Sequence, residues 1–471
     1  MSIDITGQRI HIVGVKGAGV SALARMLQAR GNYVCGSDVA ERFFTDEGLE
    51  QDGIRIESFS SDHVVSHHFD MVIYSTAWKD SDEVARARQQ GVMVVSYPEA
   101  LGIIFNSGVL PIAVAGSHGK TTTAALVTHI LTSAGHDPSA IVGSTMANSG
   151  TNMRAGHGAP FVIEADEYEN KFAYYNPQAL LVTNIDYDHP DYFTTRESYD
   201  EAFRAFVEKT RGRSGVVIAC GDDAGVRRVL GDDVIRYGTD QSFPYAVTDI
   251  VVLNGLMHYT LHRNGENIGT FSLALPGRHN AVNACGAIAL CDMLGLVDAQ
   301  EAAHHAETFR GVARRFEYKG QYEGMRIYDD YAHHPTEIGA TLSMFRMIFP
   351  TARIWCVFGA HTYTRTAALF DDFAKSFSTA DHVLLLDIFG SARERDGERT
   401  GQDLASAISR QSGNAEYIGT HDRACEVILG HIDEIDVLVT MGAGDVYKIG
   451  EEICVLSSKE RQKSIPKNLT L

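Results

Sequence analysis

The sequence predicts an α/β protein of three domains. Short apolar runs rich in Val and Ile alternate with segments of helical periodicity, which is typical of parallel sheets with crossover helices. The chain has 471 residues, more than one hydrophobic core usually supports. Two glycine-containing segments each follow a predicted strand and precede a predicted helix, as nucleotide-binding loops do.

The predicted domains differ in their strands. The first is Rossmann-like, the second is a phosphate-loop domain with an antiparallel stretch near residues 245–275, and the third is a smaller Rossmann-like domain. Their expected limits are residues 1–107, 108–317 and 318–471. The strands that define them are expected at residues 10–13, 71–74 and 92–95, then 110–115, 161–163, 180–183 and 216–219, then 326–328, 354–358, 383–386 and 437–441.

The composition favours a cytoplasmic protein that binds neither membranes nor nucleic acid. Hydrophobic residues make up 44% of the chain, and no apolar run reaches the roughly 18 residues of a membrane-spanning helix. The N-terminus lacks the features of a signal peptide. A net charge of -19 opposes nonspecific binding to a phosphate backbone. The seven cysteines include no Cys-x-x-Cys pair, so free thiols are expected.

Residues 116–123 carry the strongest functional signal. They read Gly-Ser-His-Gly-Lys-Thr-Thr-Thr and join the strand 110–115 to a helix expected over 122–134. Glycines let backbone N–H groups approach phosphate oxygens, a lysine adds a point charge, and a threonine hydroxyl can bind magnesium. Only two residues separate the glycines, whereas the common Walker A loop has four. The competing interpretation is an ordinary strand-to-helix turn, but the flanking strand and helix favour a phosphate site.

Two polar side chains follow neighbouring strands of the same predicted sheet. Glu164 comes after the strand 161–163, and His189 lies in Asn-Ile-Asp-Tyr-Asp-His after the strand 180–183. Because the carboxyl ends of parallel strands meet at one edge of a sheet, both are expected beside the phosphate loop. Taken alone, they would be a helix-capping acid and a surface histidine. Their position makes them candidate magnesium ligands.

Residues 14–19, Gly-Val-Lys-Gly-Ala-Gly, form a second glycine-containing loop, and Asp38 follows the next strand. The arrangement is similar to a dinucleotide-binding fingerprint, but Lys16 replaces its second glycine. The segment is therefore weak evidence for an NAD-binding oxidoreductase, which stays open as an alternative. The Lys16 side chain is expected either to add charge to a pyrophosphate site or to point to solvent.

Six segments together resemble the Mur ligase family, and the resemblance spans essentially the whole chain. They are Gly-x-His-Gly-Lys-Thr-Thr-Thr at 116–123, Glu-Ala-Asp-Glu at 164–167, Thr-Asn-Ile-x-x-Asp-His at 183–189, Gly-Arg-His-Asn-Ala-Val-Asn at 277–283, Phe-Arg-Gly-Val-Ala-Arg-Arg-Phe at 309–316 and Asp-Asp-Tyr-Ala-His-His-Pro-Thr-Glu at 329–337. The resemblance implies a ligase that uses ATP and Mg²⁺. It would activate a carboxylate as an acyl phosphate, which an amine then attacks, with release of ADP and phosphate.

A further segment narrows the implied substrates. His-Thr-Tyr-Thr-Arg-Thr at 361–366 resembles members that join L-alanine to UDP-N-acetylmuramate in peptidoglycan precursor synthesis. Members that add a tripeptide to the same sugar nucleotide stay an alternative, because Glu-Ala-Asp-Glu-Tyr at 164–168, followed by Lys171, Phe172 and Tyr175, is similar to them. A monomer or weak homodimer is expected.

The resemblance also implies roles for individual residues. Lys120, His189, His333 and Arg365 are expected to be catalytic; Arg365 would bind the amino-acid carboxylate, and either histidine could be the base. The expected ATP contacts are Gly116, Ser117, His118, Gly119, Lys120, Thr121, Thr122, Asn280, Asn283, Arg315 and Asp330; the substrate contacts are Gly14, Gly17, Ala18, Gly19, Asp38, Ser75, Thr76, Tyr331 and His361; and the metal ligands are Thr121, Glu164 and His189. Since these residues lie on three domains, closure is expected to assemble the site.

Overall fold

The computed structural model describes residues 5–66, 68–390, 397 and 399–464. It confirms the predicted fold class, because three mostly parallel sheets follow one another along the chain and helices flank each of them. The domain boundaries predicted after residues 107 and 317 stay a prediction; the last sheet begins at Glu317.

The first sheet belongs to the N-terminal segment. Its elements are β1 (Arg9–Val13), α1 (Ala18–Ala29), β2 (Tyr33–Asp38), α2 (Asp46–Gln51), β3 (Arg55–Ser58), α3 (Ser61–Ser66), β4 (Met71–Tyr74), a 3₁₀ helix (Thr76–Trp78), α4 (Asp82–Gln89), β5 (Met93–Ser96) and α5 (Tyr97–Asn106). All five strands are parallel in the order β3-β2-β1-β4-β5, which is the Rossmann order. The loop between β1 and α1 therefore lies at the carboxyl edge of the sheet.

The central sheet has ten strands. Its elements are β6 (Leu110–Ala115), α6 (Lys120–Ser133), β7 (Ser139–Met146), β8 (Thr151–Arg154), β9 (Pro160–Glu164), a 3₁₀ segment (Tyr168–Tyr174), β10 (Ala179–Val182), α7 (Arg196–Arg211), β11 (Val216–Cys220), α8 (Ala224–Val229), β12 (Ile235–Gly238), β13 (Tyr245–Leu253), β14 (Leu256–Arg263), β15 (Glu266–Leu273), α9 (Arg278–Met293) and α10 (Ala299–Glu307). The order is β15-β14-β13-β12-β11-β10-β6-β9-β7-β8, and β13 to β15 are antiparallel, as predicted. Because β6 lies between β10 and β9, the ends of both neighbours flank the loop that follows it.

The third sheet has six strands. Its elements are β16 (Glu317–Tyr322), β17 (Met325–Asp330), α11 (Pro335–Ile348), β18 (Ile354–Phe358), α12 (Tyr363–Ala368), α13 (Phe370–Lys375), β19 (His382–Leu386), α14 (Gly401–Ser412), β20 (Ala415–Gly419), α15 (His421–Gly430), a 3₁₀ helix (Ile432–Glu434), β21 (Val437–Met441) and α16 (Tyr447–Ser464). Only β16 is antiparallel to its neighbour in the order β16-β17-β21-β18-β19-β20.

The buried core is continuous between the first two domains but not into the third. One apolar cluster contains both Leu23 of α1 and Phe161 of β9. The third domain has its own clusters, around Phe358 and Leu438. Within the described residues, no buried apolar cluster joins the third sheet to the central one. Polar contacts therefore carry much of the attachment of the third domain.

Among the residues that the structure describes, no helix is both long and apolar enough to cross a membrane.

Candidate active site

A cleft of about 840 Å³ lies between the three domains. The first domain contributes α1 and α2, and the central domain contributes the phosphate loop, part of β7 and the end of β9. Residues 313–315, the segment after β17 and the start of α16 complete it. Lysine, arginine, histidine and carboxylate side chains line the walls, so the cleft can accept a charged ligand.

The phosphate loop turns tightly between β6 and α6. A Cβ atom at Gly116, where φ is +144°, would lie 2.0 Å from Thr183 Oγ1. At Gly119, where φ is +76°, it would lie 2.9 Å from Asn283 Nδ2. Both positions therefore need glycine, for its positive φ and its lack of a side chain.

Residues that follow β10 hydrogen-bond to this loop. Asn184 Oδ1 accepts a hydrogen bond from the backbone N–H of His118 at 2.8 Å, and the Thr183 hydroxyl donates to the carbonyl oxygen of His118 at 2.7 Å. Ser117 Oγ donates to the carbonyl oxygen of Asp186 at 2.7 Å and accepts from its N–H at 2.8 Å. These contacts fix the shape of the loop.

Lys120 places a positive charge in the cleft. Its ammonium donates to Glu167 Oε2 at 2.9 Å and to two carbonyl oxygens of the phosphate loop at 2.5 and 3.1 Å. Burial opposes the charged form, but the carboxylates of Glu167, Asp166 and Glu164 raise the pKa of Lys120 above its ordinary value. Lys120 is therefore fully charged at neutral pH.

Glu164 lies next to Thr121 at the start of α6. Its Oε2 accepts a hydrogen bond from the N–H of Gly143 at 2.7 Å, and its carboxylate also interacts with the Thr121 hydroxyl. Burial raises the pKa of Glu164, so its carboxylate lacks full charge compensation. Since Mg²⁺ prefers oxygen ligands and would supply that charge, these two residues fit a magnesium ion.

A second acidic group extends this wall of the cleft. Asp166, Glu167 and His189 each offer one ligand atom, and these atoms lie within 4.8 Å of one another. The His189 ring packs 4.7 Å from the ring of Tyr168, and its residue has a φ of +57°. Thr121, Glu164 and His189, the three predicted metal ligands, all line the cleft.

The His118 ring lies between two domains and is not among the side chains that line the cleft. Its Nε2 is 3.2 Å from Asp186 Oδ2, and its Nδ1 is 3.4 Å from Glu337 Oε1. Burial alone would lower the pKa of His118, but the two carboxylates raise it to about 9. The sequence predicts an ATP contact for this residue, whereas two carboxylates already engage its ring.

Three predicted residues line the cleft where the chain enters the third domain. The Arg315 guanidinium lies 5.4 Å from the Tyr331 ring and 3.3 Å from Glu337. His333 Nδ1 is 3.0 Å from the carbonyl oxygen of Tyr331, which can only accept. The ring proton is therefore assigned to Nδ1, and Nε2 is left as an acceptor. Burial lowers the pKa of His333 to about 3, so the ring is neutral at pH 7.

Asp330 is engaged within the protein. Its Oδ2 and Oδ1 accept hydrogen bonds from the N–H groups of Phe316 and Ala332, each at 2.8 Å. Burial raises the pKa of Asp330 to about 6. The side chain thus fixes the entrance to the third domain, and its predicted ribose contact stays a prediction.

Arg365 also has a protein partner. It donates from Nε and Nη2 to the carboxylate of Asp188 at 2.9 and 3.3 Å, and from Nη1 to the carbonyl oxygen of His361 at 3.4 Å. The His361 ring stacks on Phe389, with 5.8 Å between their centroids. A substrate carboxylate would have to share or replace the contact with Asp188.

Close packing explains the glycines in the loop of the first domain. A Cβ atom at Gly14 would lie 2.3 Å from Trp78 and 3.0 Å from Ser75 Cβ, and one at Gly19 would lie 2.4 Å from the Tyr97 hydroxyl. Gly19 lines the cleft at the start of α1, where backbone N–H groups favour an anion.

Lys16 does not point to solvent, so that expectation is wrong, while its contact with a pyrophosphate stays a prediction. The residue is 9% exposed, and its ammonium lies 3.2 Å from Asp46 Oδ1. It also donates to the carbonyl oxygens of Val39 and Glu41 at 3.0 and 2.7 Å. Asp38 accepts the backbone N–H of Lys16 at 2.7 Å, so it too supports the loop.

Two predicted ATP contacts lie at the start of α9. Asn280 Nδ2 donates to the carbonyl oxygen of Pro276 at 2.6 Å, while Asn283 lies against Gly119 of the phosphate loop. Thr122, a third predicted contact, is buried in α6. A nucleotide contact of these side chains stays a prediction.

The cleft brings together about half of the predicted site residues. Those that line it are Ala18, Gly19, Ser117, Gly119, Lys120, Thr121, Glu164, His189, Arg315, Tyr331 and His333. Those that do not line it are Gly14, Gly17, Asp38, Ser75, Thr76, Gly116, His118, Thr122, Asn280, Asn283, Asp330, His361 and Arg365.

Sequence reasoning missed three residues that organise the site. Glu337 and Asp188 lie inside recognised segments, but their contacts with His118 and Arg365 depend on the fold. The Tyr199 hydroxyl lies 2.6 Å from Ser117 Oγ and donates to Glu167 at 3.0 Å, and its position on the apolar face of α7 gives no functional signal.

Comparison with protein families matches each segment to a Mur ligase domain. Residues 9–108 match the Mur ligase family catalytic domain, residues 114–291 the Mur ligase middle domain, and residues 314–444 the Mur ligase glutamate ligase domain.

Individual proteins are similar to the chain over most of its length. It is 39% identical to the UDP-N-acetylmuramate–L-alanine ligase of Desulfitobacterium hafniense, over 94% of this chain and 99% of that one. It is 37% identical to the enzyme of that name from Caldanaerobacter subterraneus, over 96% and 98%. The crystal structure of the UDP-N-acetylmuramate-alanine ligase from Thermotoga maritima superposes with a TM-score of 0.81 at 28% identity, covering 96% and 100%. A murein peptide ligase from Psychrobacter arcticus gives 0.72 at 25% identity, covering 95% and 98%.

Proposed function

Because this chain belongs to the Mur ligase family, we propose that it joins L-alanine to the lactyl carboxylate of UDP-N-acetylmuramate in peptidoglycan precursor synthesis, converting ATP to ADP and phosphate. One observation carries the proposal. The phosphate loop, Glu164 and His333 face the same cleft, so a nucleotide, a divalent cation and an amine can meet there.

The reaction must give a carboxylate a leaving group. A carboxylate oxygen of the sugar nucleotide attacks the γ-phosphorus of ATP, and the bond to ADP breaks. The amine nitrogen of alanine attacks the resulting acyl phosphate, phosphate leaves, and the nitrogen loses its proton to a base. Little covalent chemistry falls to the protein, so positioning and charge stabilisation dominate.

The central domain supplies the charge that phosphoryl transfer needs. Lys120 would offset negative charge on the transferring group, which requires it to share or leave its contact with Glu167. Thr121, Glu164 and His189 would hold Mg²⁺, which when bound supplies further positive charge to the phosphate oxygens. The N-terminus of α1 at Gly19 would bind the pyrophosphate of the sugar nucleotide.

The segment after β17 would receive the amino acid. Neutral His333 can accept a hydrogen bond from the amine through Nε2, and its low pKa makes orientation a better role for it than strong base catalysis. Arg365 would bind the amino-acid carboxylate as a planar fork if that carboxylate shares its contact with Asp188.

A second candidate function is the addition of a tripeptide to the same sugar nucleotide, which the likeness to a murein peptide ligase favours. ADP release should be measured with ATP, Mg²⁺ and UDP-N-acetylmuramate, adding alanine, glycine, serine or the tripeptide in turn. We expect alanine to give the highest kcat/KM. A response to the tripeptide alone would favour the second candidate, and a rate equal to the blank with every acceptor would contradict both.

We further propose that the protein acts in the cytoplasm as a monomer or weak homodimer, without a membrane or nucleic-acid partner. Light scattering at several protein concentrations measures the mass directly. A mass above that of a dimer at every concentration would contradict the proposed state.

A further inference from the structure

The third domain meets the central domain through polar and charged side chains. In the part of the chain that the structure describes, no buried apolar cluster crosses between the third and central sheets. Thr336 donates to Asp186 at 2.8 Å, and Arg365 pairs with Asp188. Since few apolar contacts fix the third domain, individual polar contacts can decide its position.

His118 is the member of the phosphate loop that reaches the third domain. Its backbone is fixed, because both its N–H and its carbonyl oxygen bond to residues after β10. Its ring spans from Asp186 of the central domain, 3.2 Å from Nε2, to Glu337 of α11, 3.4 Å from Nδ1. The ring also packs 4.7 Å from that of His334. A shift of the loop would therefore move the ring against α11.

Glu337 also contacts residues on the substrate side of the cleft. Its carboxylate lies 3.3 Å from Arg315 Nη1 and accepts the backbone N–H of His333 at 3.2 Å. The side chain is 9% exposed, so none of its partners is easily replaced by water. One buried carboxylate thus connects the phosphate loop with two residues that line the cleft.

We propose that His118 is a positioning residue that couples the phosphate loop to Glu337, and that it thereby holds Arg315 and His333 in place over the phosphate site. The coupling serves the ligation proposed above, so its kinetic consequence rests on that function. The structural consequence does not, because the ring bridges the two domains whatever reaction follows.

The charges around the ring favour such a bridge. Asp186 and Glu337 face its two nitrogens, His334 lies against its plane, and Arg315 is the next cation beyond Glu337. The ring hydrogen-bonds to Asp186 through Nε2, and Nδ1 lies within ion-pair distance of Glu337, so one positive charge on the ring attracts both carboxylates. Glutamine at this position can reach only the Asp186 side and asparagine only the Glu337 side, because their amides replace Nε2 and Nδ1 respectively.

The kinetic test compares His118→Gln, His118→Asn, Glu337→Gln and the double variant His118→Gln/Glu337→Gln in the full chain. For each single variant we expect kcat to fall about 10- to 100-fold, because misplacing reacting groups has effects of that size, while the KM for ATP changes less than about 3-fold. The double variant should be no slower than the worse single variant, because both break one coupling. His129→Gln, on the helix that follows the phosphate loop, is the control, since the His129 ring hydrogen-bonds to the carbonyl oxygen of His305 and the hydroxyl of Thr308 at the end of α10.

A structural readout separates this proposal from the ligase assignment. Small-angle scattering with a nonhydrolysable ATP analogue measures closure without turnover. We expect the analogue to reduce the radius of gyration of the parent chain and of His129→Gln, but not of His118→Gln. Unchanged closure in His118→Gln would overturn the coupling even if no ligase activity were found. An unchanged kcat, or a raised KM for ATP with normal kcat, would also overturn it.

Discussion

Arg365 and Asp188 form a buried, two-pronged ion pair that joins the third domain to the central domain. The pair bridges positions that are 177 apart in the chain, and each side chain is only 6% exposed. Burial acts to raise the pKa of the Asp188 carboxyl, but the neighbouring His189 and Arg365 hold it well below its ordinary value. The pair therefore depends on both charges being present.

Removing one charge of this pair should destabilise the protein. For Asp188→Asn we expect a loss of about 3–5 kcal/mol, because a buried guanidinium is left without its counter-ion. The melting temperature should fall by several degrees in a calorimetric scan. Asp436→Asn is a matched control, because Arg353 and Asp436 form the same two-pronged pair with each side chain nearly half exposed. It should cost less than about 1 kcal/mol. Equal effects of the two variants would contradict the assigned importance of burial.

Lys120 should be needed for turnover and not for folding. For Lys120→Ala we expect kcat for ADP release to fall roughly 100-fold or more, because a charge aimed at the transferring phosphoryl group is lost. Circular dichroism should be unchanged. Lys209→Ala is the control, since the Lys209 ammonium lies on α7 and donates to the carbonyl oxygen of Ala173 at 2.8 Å. Normal kcat in Lys120→Ala would exclude the proposed phosphate site.

The sequence predicts the central strands of each sheet well, and the physical reason is their burial. β6, β10 and β21 are covered on both faces, so they are continuous apolar runs. β3 and β20 lie at sheet edges and contain charged residues, and the sequence pattern does not predict them. Short, polar edge strands carry little periodic signal.

The site residues also differ in how much of their role a local sequence pattern can predict. The glycines and Lys120 of the phosphate loop are adjacent in the sequence, so their shared chemistry can be read directly. The contact of His118 with Glu337 depends on how two domains meet, which no local pattern reports. The burial of Lys16 has no local signal, because a lysine in a glycine loop is ordinarily expected near solvent or an anion, whereas a buried aspartate on α2 binds it here.

The pH dependence of stability should report the charge of the His118 ring. Its pKa is raised from 6.5 to about 9, so its bridge contributes fully below pH 6.5 and is lost as pH rises through about 9. Burial acts to raise the pKa of Asp186, but His118 lowers it to about 2. Asp186 therefore stays ionised throughout this range. The difference in melting temperature between the parent chain and His118→Gln should therefore shrink from pH 6.5 to 9.5.

His129→Gln provides the comparison for this titration. Burial lowers the pKa of His129, so any pH-dependent contribution from it has the opposite sign and lies in the acidic range. A constant difference between the parent chain and His118→Gln across the alkaline range would show that the ring does not bridge as a cation.

Lys16 should control the loop between β2 and α2 and, through it, the first-domain side of the cleft. Phe44, at the end of this loop, is 62% exposed and lines the cleft. In Lys16→Met the three contacts of the ammonium are lost and Asp46 keeps a buried, uncompensated carboxylate. We expect the KM for UDP-N-acetylmuramate to rise about 10-fold, since an ordered loop loses its anchor, while kcat and the KM for ATP stay within about 2-fold.

A compensating variant separates loop anchoring from direct ligand binding. Asp46→Asn in the Lys16→Met background removes the unpaired charge, so it should recover part of the lost stability and of the KM. If Lys16 instead bound the pyrophosphate, the second substitution would recover nothing, and Lys16→Arg would keep normal KM. Limited proteolysis adds a readout that needs no substrate, because an unanchored loop should be cut faster between residues 39 and 45 in Lys16→Met than in the parent chain. Equal cleavage rates together with a raised KM would favour a direct contact between Lys16 and the ligand.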